Sequence, residues 1–280
     1  NLAPDYARPE LPVPTSLDQS ATPSVPSTAK LDWQEVVTDT RLKQTVELAL
    51  ANNRDLRLAV LNVEAVQAQY GIQRSGQFPA IDVNASAARQ RGDSNGTGAT
   101  TGTQLGLGLG ISAFEIDLFG RTRSLSDAAL SRYLASEQGQ KAAQITLIGA
   151  VADSYHAELL AQEQLKLAQQ TLTDWQQSLD LARRLKAANQ NSGLEDSQAE
   201  GQVATAQADL EARTRTRAQA RNALQLLVGT AIPADLPAVP TLDELPRQAL
   251  PAGLPSDLLT RRPDILQAEH NLRAANADIG

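Results

Sequence analysis

Between residues 120 and 227 the apolar positions step by three and four. Ile145, Ile148, Ala152, Tyr155 and Leu159 form one run. After a slip of phase, Leu165, Ala168, Leu172, Trp175, Leu179 and Ala182 form another. A return run follows in Val203, Ala206, Leu210, Arg213, Arg217, Ala220, Leu224 and Leu227. Seams of this period predict long helices packed side by side. No proline stands between Pro79 and Pro233, and good helix formers dominate from Leu125 onward. The polar turn between the runs carries its own signals. Asn189 tolerates the left-handed conformation that ends a helix, and Ser192-Gly193-Leu194-Glu195 has the pattern of a capping box, with Ser192 as N-cap and Glu195 at N3. At 1.5 Å per residue the first arm would be roughly 90–100 Å long and the second roughly 50 Å, too long for a compact domain.

Upstream, Leu42, Val46 and Leu50 share one face of a helix predicted from Asp39 to Ala51. Asn52-Asn53 ends it and caps the next, predicted from Asp55 to Ser75 with Leu56, Ala59, Val63 and Val66 as its stripe; Gly76 and Pro79 stop it. The period then changes to two. Ile81, Val83, Ala85 and Ala87 alternate with Asp82, Asn84, Ser86 and Ala88. Beyond a loop at 92–102, Leu105, Leu107, Leu109 and Ile111 alternate with Gly106, Gly108, Gly110 and Ser112. This is a β-hairpin. Its apolar phase flips at Ala113-Phe114, so that Phe114, Ile116 and Leu118 become the apolar set, which predicts a change of environment or a bulge. Strand length and alternation fit a membrane β-barrel, and fit a hairpin on a soluble sheet as well. The loop is rich in Gly, Ser, Thr and Asn and is expected to be exposed; its Asn95-Gly96-Thr97 sequon is too short a match to decide anything.

Pro4, Pro9, Pro12, Pro14, Pro23 and Pro26 make residues 1–30 an extended arm, either a disordered tail or a strap laid over a larger body. Residues 229–255 read as a connector. Ser256 is then placed to cap a short helix, and Pro263 to open another in its first turn.

The last segment aligns with an earlier one. Asp55 meets Asp264, Ala59 meets Ala268, Asn62 meets Asn271, Ala65 meets Ala274 and Gly71 meets Gly280. The match is short and rich in Ala, so chance and a true repeat both account for it. A repeat would make the unit helix, strand, strand, long helical hairpin, with a comparable stretch expected beyond Gly280. Two strands cannot close a barrel, and even four leave open edges that cost several kcal/mol per unpaired backbone group in lipid. Membrane insertion would therefore require several protomers.

Composition narrows the classes. A net charge of −7 over 280 residues argues against a nucleic-acid binder. The absence of Cys excludes disulfides and thiolate metal sites. Aromatics are only 3% and Ala is abundant, which suits close helix packing better than a conventional core. No apolar run is long enough for a transmembrane helix. With no signal peptide and no initiator Met, Asn1 reads as the start of a processed or trimmed chain.

Candidate chemistry is sparse. Asp153 and His156 lie one turn apart without a third ligand, so no metal site is expected. No G-x-S-x-G, P-loop or dinucleotide-binding glycine pattern occurs, so no catalytic residue and no cofactor is expected. Glu115 and Asp117 fit a wet lumen or pairing with Arg121 and Arg123 better than a catalytic dyad. Arg213, Arg215, Arg217 and Arg221 are read as a structural set. The stems of Arg213 and Arg217 lie in the seam, with their guanidinium groups on carboxylates of a neighbouring helix rather than on phosphate.

Five stretches together carry a family resemblance: Pro4-Asp5-Tyr6-Ala7-Arg8-Pro9, Ala51-Asn52-Asn53-Arg54-Asp55-Leu56-Arg57, Phe114-Glu115-Ile116-Asp117-Leu118-Phe119-Gly120-Arg121, Ile232-Pro233-Ala234-Asp235-Leu236-Pro237, and Leu250-Pro251-Ala252-Gly253-Leu254-Pro255 running on to Arg262-Pro263-Asp264-Ile265. Over essentially its whole length the chain resembles the outer-membrane channel proteins of bacterial tripartite efflux pumps, the TolC/OprM type, in its OprM-like branch. The resemblance implies an α+β fold in which long antiparallel helical hairpins form a trimeric periplasmic α-barrel continuous with an outer-membrane β-barrel of twelve strands, four from each protomer. The chain would hold the first of two repeats and the start of the second. Residues 1–38 would be the N-terminal arm, and 39–79 with 229–280 the helices and connectors of the equatorial and α-barrel region. Residues 80–119 would be the membrane hairpin, and 120–228 the long helical hairpin.

The function implied is a passive exit duct for small toxic compounds in multidrug resistance. Its implied partners are two further copies of the chain, a periplasmic adaptor, an inner-membrane pump of the RND type and outer-membrane lipid, with no nucleic acid. Ala188, Asn189, Gln190, Asn191, Ser192 and Gly193 would form the tip that meets the adaptor. Asp93, Ser94, Asn95, Gly96 and Thr97 would be extracellular, and Leu105, Leu107, Leu109 and Ile111 would face lipid. Two departures stand out. Asn189 replaces the usual tip Gly, and Glu195-Asp196 replaces an Asp-Leu pair. The lipidated Cys usual in this branch is not in the chain. A protein-secretion duct of the same fold, or a soluble periplasmic helical-hairpin adaptor, are the alternatives.

Overall fold

The computed structural model describes residues 4–10, 33–93, 99–112, 116–190, 192–241, 244 and 256–279. The elements in chain order are α1 (Trp33–Val36), α2 (Thr40–Asn52), α3 (Arg54–Ser75), β1 (Ala80–Asp93), β2 (Ala99–Ser112), α4 (Arg121–Ala187), α5 (Gly193–Val228), a 3-10 helix (Ser256–Arg261) and α6 (Pro263–Ala277). The chain folds as two units. One comprises Asn1–Glu10, Asn62–Gln138 and Ile265–Gly280; the other comprises Leu11–Leu61 and Gly139–Asp264. Helices α3 and α4 contribute to both. Among the described residues no helix is long and apolar enough to cross a membrane.

The second unit holds the larger core. Helix α2 starts where the Asp39 carboxylate accepts hydrogen bonds from the backbone N–H groups of Arg41 and Leu42, at 2.8 and 3.3 Å. Its Leu42, Val46 and Ala49 meet Leu147, Val151, Tyr155 and Leu159 of α4 and Leu224 and Val228 of α5 in one cluster. Leu50, predicted on this face, is half-buried at the margin of the cluster, while Ala49 is fully buried within it. The predicted arm 1–38 ends sooner than expected, since Trp33 opens α1 and packs against the cluster.

The α4 seam departs from the predicted one at its start. Ile145 is 58% exposed, and Ile148 and Ala152 are half-buried, while Leu147 and Val151 take the core. Both stripes are apolar, so periodicity cannot choose between them; only the partner helices do. Further along, Leu165, Ala168 and Leu179 are buried as predicted, Leu172 and Ala182 are half-buried, and Trp175 is exposed. On α5, Ala206 and Leu224 of the predicted seam are buried and Val203, Leu210, Arg213, Arg217, Ala220 and Leu227 are half-buried, while Val228 rather than Leu227 takes the core.

Asn53 ties three helices together. It ends α2, its Oδ1 accepts the N–H of Leu56 at 2.9 Å to cap α3, and its Nδ2 donates to the Leu227 carbonyl at 2.8 Å. Helix α5 closes on Gly229 in the left-handed conformation, φ 79°. In α3 no residue is fully buried, and the predicted stripe of Leu56, Ala59, Val63 and Val66 is half-buried.

The first unit contains the sheet. Strands β1 and β2 pair antiparallel from Ala80 with Ser112 to Asp93 with Ala99. The strands overrun the predicted loop at 92–102, for Gly92 pairs with Thr100 and Gly102 with Gln90. Ladder bonds come from the backbone, so polar Thr and Gln extend a strand without an apolar signal. The predicted phase flip at Ala113-Phe114 lies outside the described residues. Beyond it, Ile116 and Asp117 are not in a strand. Instead Asp117 accepts the backbone N–H of Arg123 at 3.0 Å, and Gly120 turns the chain at φ 82° into α4. Small residues are buried here: Ser124, Ser126, Ala128 and Ala135 on α4 and Ala274 on α6. Tyr70 of α3 stacks on Tyr133 of α4 with ring centroids 6.4 Å apart.

Candidate functional site

The turn between α4 and α5 is built as a helix stop. The N–H of Asn189 bonds to the Lys186 carbonyl at 3.0 Å, and that of Gln190 to the Leu185 carbonyl at 2.9 Å, while Asn189 itself adopts φ 53°. This double closure satisfies two end carbonyls of α4 and requires a left-handed residue, a role Asn fills at lower cost than most side chains. Ala188, Asn189, Gln190, Ser192 and Gly193 are exposed, and Asn191 lies outside the described residues. Ser192 occupies the N-cap of α5, but its side chain makes no capping hydrogen bond, so the predicted capping box is not formed. Glu195 and Asp196 instead put two carboxylates in the first turn, where the helix dipole favours negative charge.

A charge clamp behind the turn escaped the sequence reading. Lys186 Nζ meets Asp196 Oδ2 at 2.6 Å, Arg183 Nε approaches Asp196 Oδ1 at 3.7 Å, and Arg183 Nη2 bonds Glu200 at 2.7 Å. Asp196 is the covered member, with 13% of its side chain exposed. The signal that would have found the clamp is opposite charges at near-mirror positions about the turn: Lys186 against Asp196, and Arg183 against Glu200.

The β-hairpin presents a continuous apolar face. Leu105, Leu107, Leu109 and Ile111 stand opposite Ala87, Ala85, Val83 and Ile81, and the larger of these side chains are exposed, Leu107 to 79%. On the other face Asp82, Asn84 and Ser86 stand opposite Gly110, Gly108 and Gly106. Asp93 ends β1 in register with Ala99, whereas Ser94, Asn95, Gly96 and Thr97 lie outside the described residues.

Residues 4–10 form a strap on α6, which decides between the two readings of the arm for this part of it. The Tyr6 hydroxyl donates to Glu269 at 3.4 Å, Arg8 pairs with the same carboxylate, and Asn276 Nδ2 donates to the Pro4 carbonyl at 2.8 Å. The Arg273 guanidinium lies 5.1 Å from the Tyr6 ring centroid and bonds Glu269 at 2.7 Å. Burial pushes the Glu269 carboxyl up, but the hydrogen bond from Arg8 and the charges of Arg273 and Arg8 outweigh it and hold the group below its ordinary value. Burial lowers the neighbouring His270.

The remaining candidates resolve locally. His156 sets Nδ1 at 2.7 Å from the carbonyl of Ala152 in its own helix, and among the described residues no group of three or more His, Cys, Asp or Glu is placed to hold a metal. Asp117 accepts the backbone N–H of Arg123 in the first turn of α4, and Glu115 lies outside the described residues. Arg213 bonds Asp209 on its own helix at 3.2 Å and Gln164 on α4 at 3.1 Å, so its neighbour across the seam is an amide and not the predicted carboxylate. Arg217 differs again, with its Nε buried and unpaired among the described residues.

Comparison with known proteins is consistent along the chain. Residues 45–230 match the family described as outer membrane efflux protein. The chain is 44% identical over 289 residues to the toluene efflux pump outer membrane protein TtgC of Pseudomonas putida, covering 100% of this chain and 60% of that one. It is 40% identical to the outer membrane protein OprJ of Pseudomonas aeruginosa, again over 100% of this chain and 60% of the relative. The open-state structure of the MtrE outer membrane channel of Neisseria gonorrhoeae superposes with a TM-score of 0.82 at 38% identity, covering 99% of this chain and 62% of that one. The chain thus spans about three-fifths of the length of the curated relatives it matches.

Proposed function

This chain belongs to the outer membrane efflux protein family, and from that premise we propose that it is part of an outer-membrane exit duct for small toxic compounds, a passive channel and not an enzyme. The observation that carries the reading is the hairpin of β1 and β2. One face is a solid row of exposed Ile, Val and Leu and the other is polar. That division suits a wall with lipid on one side and water on the other.

Among the described residues the sheet has two strands, and both of its outer edges are unpaired. Closure in lipid then calls for further strands from the rest of the protein and from other protomers, which supports a homotrimer sharing one barrel. The helical hairpin extends the duct into the periplasm. Its tip at Ala188, Asn189, Gln190, Asn191, Ser192 and Gly193 is the surface offered to a periplasmic adaptor, and through it to an inner-membrane pump of the RND type. The double closure at Asn189 and the clamp on Asp196 support that role, because they hold an exposed turn in one shape.

Conductance of the whole protein in a planar bilayer is the test. Discrete steps of uniform size are the expected result. A protein soluble without detergent and silent in the bilayer would overturn the reading.

A further inference from the structure

The second unit encloses a cavity of about 70 Å³ between α2, α4, α5 and the segment after α5. Arg41, Arg217, Arg221, Glu158 and Gln162 line it. Three arginines and one glutamate therefore stand among its lining residues. Arg41 donates from Nη1 to the Pro237 carbonyl at 2.6 Å. The Tyr155 hydroxyl, also at the wall, donates to Asp39 at 2.7 Å and so turns its proton away from the cavity. Arg217 and Arg221 make no hydrogen bond or ion pair among the described residues, and Arg217 Nε is shut off from solvent. Arg213, one turn earlier on the same seam, has both an amide and a carboxylate. The deficit is thus particular to this place and not a property of the seam. Buried donors are rarely left without a partner, and a charge surplus of this sign calls for an anion.

We propose that the cavity is an oxyanion site that binds one inorganic phosphate. Guanidinium groups bind tetrahedral and planar oxyanions through paired N–H donors, which suits phosphate better than a spherical halide. The surplus of positive charge matches the charge of phosphate near neutral pH. The volume equals about two waters' share of the liquid at ~30 Å³ each. Drug-sized ligands need pockets from about 300 Å³ upward, so the site is distinct from any path for exported compounds. It stands independently of the efflux reading.

The test is isothermal titration of the whole protein with inorganic phosphate at constant ionic strength, chloride making up the balance. Saturable binding of one phosphate per chain is expected, weakened by at least about tenfold in Arg217→Gln and in Arg221→Gln. Arg215→Gln is the control, because Arg215 is exposed and does not line the cavity; it leaves the affinity unchanged. Circular dichroism reports whether each variant folds. If Arg217→Gln does not, the exposed Arg221 carries the comparison. Absence of saturable binding to the unmodified protein, including the case in which a carboxylate from elsewhere in the protein already fills the site, overturns the proposal. Equal affinity in the folded Arg217→Gln or Arg221→Gln variant overturns it as well.

Discussion

A Cβ at Gly229 would stand 2.5 Å from the carbonyl oxygen of Asn52 and 3.3 Å from the Cα of Asn53. The glycine closes α5 at φ 79°, so two independent constraints fall on one position. Gly229→Ala meets the left-handed penalty of about 1–2 kcal/mol and a clash with backbone that cannot swing aside. A loss of about 3 kcal/mol or more is expected. It is read as a lowered thermal midpoint of the helical signal, and an unchanged midpoint would refute the close approach.

The strap depends on pH through Glu269. Its carboxyl is held below the ordinary value when the strap is docked, so the released state binds more protons at low pH. Docking is therefore fully stabilised above the ordinary carboxylate range and weakens as pH falls through the lowered value. Hydrogen exchange at residues 4–10, corrected for intrinsic rates, is expected to hold steady from pH 7 down to the ordinary carboxylate range and to speed up as pH falls below it. In Glu269→Gln the acceleration disappears and exchange is already fast at pH 7.

The two faces of the hairpin respond differently to charge. Leu107→Arg places a guanidinium on the apolar face, at a cost of about 2–4 kcal/mol if that position lies near the bilayer midplane. Asn84→Asp, on the opposite face across from Gly108, is tolerated. The amount of assembled protein in outer-membrane fractions separates these outcomes. Equal assembly of both variants would contradict a lipid-facing Leu107.

At the tip, Asp196→Ala removes the shared partner of Lys186 and Arg183. Both cations are half-exposed, so the pairs contribute only about 0–1 kcal/mol and the fold persists. Drug susceptibility of cells relying on this duct is expected to rise at unchanged protein level. Unaltered susceptibility would remove the clamp from any docking role.

Local chemistry was legible in the residues. Asn189 announced its left-handed turn, Asn53 its cap, and the alternation of Leu105, Leu107, Leu109 and Ile111 its strand, because each signal lies within a few residues of its effect. Choices between equal local options were not. Ile145 and Leu147 both sit on plausible helical stripes, and only α2 and α5 decide which is covered. The strap was ambiguous for the same reason, since Arg8 finds Glu269 across 261 positions of sequence. The strands outran their apolar signal because Thr and Gly carry none, although their backbones pair as well as any. The unsatisfied Arg217 was hidden by the expectation that a seam arginine meets a carboxylate.

From Gly106 to Gly110 the polar side of β2 carries hydrogen atoms where other strands carry chemistry, opposite Ser86, Asn84 and Asp82 of β1. That stretch of surface is consequently written by one strand alone. Changes at three alternate positions of β1 can recolour it from acidic to neutral to basic without a neighbour to answer them. On the duct reading proposed above, β1 alone decides what this part of the hairpin shows to the lumen.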